Sequence, residues 1–96
     1  MNYRVTREIR FQLGAGRHGE LTLREGDVVQ GSSIQDVPPR EVKEYRKAEA
    51  RHRRESPGTR LAYFKAEGVI RYAPAMEVLM PTEARPTIPP EATRER

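Results

Sequence analysis

The stretch "YRVTREIRFQL", residues 3–13, decides how this chain is read. Tyr3, Val5, Ile9, Phe11 and Leu13 share one parity, and Arg4, Thr6, Glu8, Arg10 and Gln12 share the other. Only Arg7 interrupts the apolar set. Successive side chains of a strand point to opposite faces, so this alternation predicts one half-buried β-strand. "ELTLR" (20–24) repeats the pattern with Leu21 and Leu23. "REGD" (24–27) reads as a tight turn, and "VVQ" (28–30) as a third short strand or a bent continuation of the second.

Between the first two strands lies "LGAGRHGE" (13–20), with Gly14, Gly16 and Gly19 in G-x-G-x-x-G spacing. A dinucleotide fingerprint needs a helix after the glycines, so that a helix N-terminus meets the pyrophosphate. Here the strand-like "ELTL" follows. A kinase-type glycine loop does sit between strands, but it needs a catalytic lysine and a metal-binding loop downstream. Nothing after residue 30 supplies them. The glycines are therefore expected to turn a wide hairpin and to hold no nucleotide.

Residues 31–39, "GSSIQDVPP", read as a loop, and Pro38–Pro39 suits the first turn of a helix. "REVKEYRKAEARHRRE" (40–55) is composed of helix formers, and "SPG" (56–58) ends it. At 100° per residue, Lys43, Lys47, Arg51 and Arg54 fall in one sector about 80° wide, with Arg40 alongside. Val42, Tyr45, Ala48 and His52 form a thin apolar stripe opposite. This segment holds seven basic and four acidic residues, a net of +3 against +4 for the whole chain. Its basic stripe is a candidate partner-binding surface, and a solvated helix face is the plainer reading.

"TRLAYFKAEG" (59–68) reads as a short helix closed by Gly68, with a hairpin arm turning at "KAEG" as the alternative. "VIRYAPAMEVLM" (69–80) reads as a strand. Ile70, Tyr72, Met76, Val78 and Met80 share one parity, with Pro74 at an edge or bulge. Residues 1–80 are expected to form one small domain whose core is Ile9, Phe11, Leu13, Leu21, Leu23, Val28, Ile70 and Val78. "PTEARPTIPPEATRER" (81–96) carries four prolines and one large apolar residue, and reads as an extended or disordered tail. Pro86, Ile88 and Pro89 are its candidate partner-binding residues, on an arm that would order against another subunit.

Of the 96 residues, 35% are hydrophobic and 33% charged, and the net charge is +4. So short a chain has a marginal core, which favours association with partners. The absence of cysteine excludes disulfides and thiolate chemistry. His18 and His52 are too few for a metal site, and Ser32 and Ser33 have no paired base. No catalytic, cofactor-binding or metal-binding residue is expected, and no enzyme. No apolar run suits a membrane span or an export signal, so neither membrane insertion nor secretion is expected.

The order of "LTLREGDVV", a helix and "YFKAEGVIRYAPA" resembles small SH3-like proteins among tailed-phage structural genes. Gly26, Asp27, Val28, Val29, Gly68, Val69 and Ile70 carry the resemblance, over about residues 10–73. It implies a mainly β fold, an SH3-like antiparallel barrel or half-barrel, into which the long helix would be inserted. It also implies a non-enzymatic subunit of a virion, at the head–tail connector, in the neck or on the head. Such a subunit would join a homo-oligomer or larger assembly by protein–protein contacts, in the virion or the host cytoplasm. The alternative is a small basic β-barrel that binds nucleic acid through its helix, or that attaches to an RNA polymerase or ribosome.

Overall fold

In the computed structural model, residues 1–12 and 20–91 are described, Gln12 and Glu20 by their backbone alone. The strands are β1 (Asn2–Val5), β2 (Ile9–Gln12), β3 (Glu20–Leu23) and β4 (Val28–Ser32). A 3-10 turn at Ile34–Asp36 leads into α1 (Pro39–Glu55). Then come β5 (Leu61–Ala66), β6 (Val69–Pro74) and β7 (Leu79–Thr82). Five strands make one antiparallel sheet in the order β6-β5-β4-β1-β7, and β2 pairs with β3 in a separate hairpin.

The alternation in residues 3–13 therefore belongs to two strands in two sheets, not to one strand. The break falls at Arg7, the residue that spoils the apolar face. Thr6 anchors the bend, its N–H donating to the Val78 carbonyl at 2.9 Å and its hydroxyl to the Glu77 carbonyl at 2.9 Å. Residues 69–80 also divide. β6 ends at Pro74, and a turn at 75–78 carries the chain to β7 on the opposite edge of the sheet. Met76, expected on the strand's apolar side, stands in that turn and is 67% exposed.

The preferred helix at 59–67 is corrected to strand β5, and the alternative, a hairpin arm turning at "KAEG", is what the chain forms. Ala62, Phe64 and Ala66 are buried in one cluster and Tyr63 in another, so both faces of this strand are covered. A strand covered on both sides loses polar alternation, and its apolar run no longer reads as a strand from the sequence. β5 and β6 are joined by the two-residue turn Glu67–Gly68, with φ of 53° and 80°. Both central positions of this primed hairpin turn lie in the left-handed region. Glycine adopts it freely, and glutamate does so at a cost.

Among the described residues neither sheet closes on itself: β6 and β7 are the outer strands of the larger one. Its two faces are packed separately. On one, Val5, Val29, Phe64 and Leu79 meet Leu21 and Leu23 of the β2–β3 hairpin. Phe11 packs edge-on against Phe64 with ring centroids 5.5 Å apart. On the other, α1 lies over Tyr63 and Ile70 through Tyr45. Of the expected core, Leu21, Leu23, Val28, Ile70 and Val78 are buried, and Ile9 and Phe11 are half-buried. Leu13 lies outside the described residues.

Residues 81 and 82 belong to β7, so a domain boundary at 80 cuts through a strand. Residues 83–91 then run over the chain's own sheet as a strap. The backbone N–H groups of Thr87 and Ile88 donate to the Val28 carbonyl at 2.8 and 3.1 Å. The N–H groups of Glu67 and Gly68 donate to the carbonyls of Pro89 and Pro90, each at 2.8 Å. Val28 pairs with β1 on one side, and β5 reaches only to the Gln30–Lys65 pair on the other. The strap satisfies the polar groups that β5 leaves open, as buried backbone requires. Ile88 packs against the first core cluster. The arm expected to be free for a neighbour is, up to Glu91, engaged with its own domain.

Candidate contact surface

The orientation of α1 follows from one residue. Tyr45 stacks on Tyr63 at 6.0 Å between ring centroids and meets Tyr72 edge-on at 5.3 Å. Its hydroxyl donates to the Ile70 carbonyl, on the outer strand β6. Burial raises the Tyr45 pKa above its ordinary value, although Arg71 nearby opposes the shift. Burial also raises that of Tyr63, and the Glu49 carboxylate adds to the effect. The Tyr63 hydroxyl is buried without a partner at ordinary hydrogen-bond length.

With Tyr45 facing the sheet, the helical period settles what faces outward. Arg40, Lys43, Lys47, Arg51 and Arg54 are all exposed. Taking Tyr45 as zero, 100° per residue puts the five between about 160° and 240°. No acid lies within that sector. Glu41 and Glu49 flank the buried side and are half-buried, and Glu44 and Glu55 border the ridge. Among the described residues the ion pairs are Arg10–Glu8, Arg46–Glu49 and Lys65–Glu91, so none engages the five. From Arg40 to Arg54 the ridge is about 21 Å long, at about 1.5 Å per residue. The structure thus brings the sequence-predicted Lys43, Lys47, Arg51 and Arg54 into one convex row, with Arg40, read alongside them, in line.

The other sequence-predicted contact residues lie elsewhere. Pro86 and Ile88 are half-buried, and the Pro89 carbonyl is bound to the β5–β6 turn. Gly14, Gly16, Gly19 and His18 lie outside the described residues. His52 is half-buried on α1, with Nε2 at 2.8 Å from the Thr59 hydroxyl. Ser32 and Ser33 both donate to the Asp36 carboxylate. These bonds hold the Asp36 pKa below its ordinary value, the Ser32 bond first. Among the described residues no three His, Asp or Glu side chains gather into a metal-binding group.

One feature had no signal in the sequence. A cleft of about 730 Å³ opens between the start of α1 and the sheet, lined in part by Arg40, Lys65 and Arg71. Its cations come from three elements, so no local spacing announces it. Lys65 is paired with Glu91 at 3.3 Å, and the Arg71 guanidinium reaches the Ile70 carbonyl at 3.3 Å. Asp36 and Glu41 line the same cleft, so its charge is mixed, whereas no acid lies within the sector of the ridge.

The chain matches no protein-family model, no curated protein and no solved structure.

Proposed function

We propose that this chain is a non-enzymatic structural subunit of a larger assembly. The phage head–tail connector, neck or head-associated class, implied by the resemblance around "LREGDVV" and "KAEGVIRYAPA", is our reading of which assembly. The subunit acts through contacts with other macromolecules of that assembly, in the virion or in the cytoplasm of the host. The mainly β fold with one helix between β4 and β5 is compatible with this class.

The observation that carries the proposal is the shape and sign of the α1 ridge. Small substrates are held in concave sites that bury most of their surface. A convex row of five cations, about 21 Å long, suits a partner of macromolecular size. The polar balance of the chain agrees, because a marginal core gains stability from association.

Sedimentation through a density gradient tests it. The chain is expected to travel with a particle many times its own 11.0 kDa. Lys47→Glu/Arg51→Glu is expected to release it without unfolding it. Recovery of the wild-type chain only as a free monomer, at every concentration and salt tested, would refute the proposal.

A further inference from the structure

We propose that the outward face of α1 binds the phosphate backbone of double-stranded DNA. This rests on reading the ridge as a contact surface and goes beyond it by naming the partner. Two anionic surfaces could match five cations: an acidic face of a protein, or a phosphodiester backbone. The composition of the ridge separates them.

Protein interfaces take most of their energy from buried aromatic or apolar anchors, with charges at the rim. The ridge has no such anchor. The large apolar residues exposed among the described ones are Met1 and Met76, and neither is on α1. The aromatic residue of the helix, Tyr45, is 8% exposed and faces the sheet. Backbone binding of DNA needs no anchor, because release of condensed counterions by Lys and Arg drives it. Three of the five ridge cations are Arg, whose planar fork suits phosphate.

The same composition favours a duplex over a single strand. Single-stranded binders stack unpaired bases on exposed aromatic rings. No aromatic ring lies on the ridge, and the three α1-facing rings are packed on one another with centroids 5.3–6.1 Å apart. The cations recur every three or four residues over about 21 Å, a length that spans about six phosphates of one strand at about 3.4 Å each. Contacts of this kind position a protein on DNA without reading its sequence.

The test is fluorescence anisotropy of a labelled 20-bp duplex titrated with the full chain, at 50 to 200 mM salt. Four to five phosphate contacts give a slope of log K against log[salt] of about −3.5 to −4.5, hence about 100- to 500-fold weaker binding across that range. Lys47→Gln/Arg51→Gln is expected to lower the slope by about 1.8, because two contacts are lost. Arg24→Gln/Arg85→Gln removes the same charge away from the helix and is expected to leave the slope within about 0.5 of wild type. All four residues are exposed, so circular dichroism should show both variants folded.

Equal loss of slope in the two double variants would overturn the proposal, because the attraction would then be net charge alone. Tighter binding to polyglutamate than to the duplex, at equal charge concentration, would overturn it in favour of an acidic protein surface. So would the absence of duplex binding at 50 mM salt. A chain that fails these tests but still sediments with a nuclease-treated particle leaves the assembly reading standing and removes this one.

Discussion

Thr87→Val should destabilise the isolated monomer, and the reason lies in one hydroxyl. Thr87 Oγ1 accepts from the Val28 N–H at 2.9 Å and donates to the Asp27 carboxylate at 3.2 Å. Val28 is 4% exposed and its bond to the exposed Thr87 is part-buried, so its N–H is only partly open to water if the hydroxyl goes. Valine keeps the shape and removes both bonds. A buried donor left without a partner costs about 1–3 kcal/mol. In a domain of this size, 2 kcal/mol lowers Tm by on the order of 10 °C. Urea unfolding followed by circular dichroism should show the same loss as a lower midpoint with an unchanged slope. Thr87→Ser keeps the hydroxyl and is expected to lie within about 0.5 kcal/mol of wild type. The pair tests whether residues 83–91 dock on their own domain in solution. If Thr87→Val melts with wild type, the strap is not closed in the monomer. If Thr87→Ser falls as far as Thr87→Val, the methyl group and not the hydrogen bond holds it, and the reasoning fails.

Three further outcomes are expected. Tyr45→Phe keeps the ring stack but loses the bond to the Ile70 carbonyl, and chemical denaturation should register about 0.5–1.5 kcal/mol. At the β5–β6 turn, Glu67→Asn should raise Tm by relieving the positive φ, worth about 0.5–1 kcal/mol, whereas Gly68→Ala should lower it. For Tyr63 and Tyr45 the folded pKa stands above the ordinary 10.0. Their contribution is therefore complete below about pH 10 and declines as pH rises toward the folded values; Tyr63→Phe should flatten this alkaline loss in a pH series of melting curves.

The strand at 20–23, the start of β4 at 28–30, the turn between them and α1 with its outward cations were legible in the residue order, whereas Gly31 and Ser32, read as loop, belong to β4. Each is a local matter: side-chain period, helix formers bounded by proline and glycine, and charges three or four positions apart. The candidate ridge was legible for the same reason, since its residues come from a single helix. The sequence set the apolar stripe with Tyr45 opposite the cations, and the structure seats that stripe on the sheet, where Tyr45 meets Tyr63 and Tyr72.

What only the tertiary structure decided concerns partners distant in sequence. β5 was only the second reading of its segment, as a hairpin arm, because helix on one side and hairpin on the other bury Tyr63 and Phe64 alike, which erases the alternation that marks a strand. The alternation of residues 3–13 ran across two sheets because the spacing keeps its parity through the bend at Thr6, which is held by Glu77 and Val78 some 71 and 72 positions away. The C-terminal segment lacks a core pattern because it contributes one apolar side chain, Ile88. Its docking comes from backbone groups that Val28, Glu67 and Gly68 leave open. Every residue carries such groups whatever its side chain, so which of them lie open is settled by how the strands end, not by residue type.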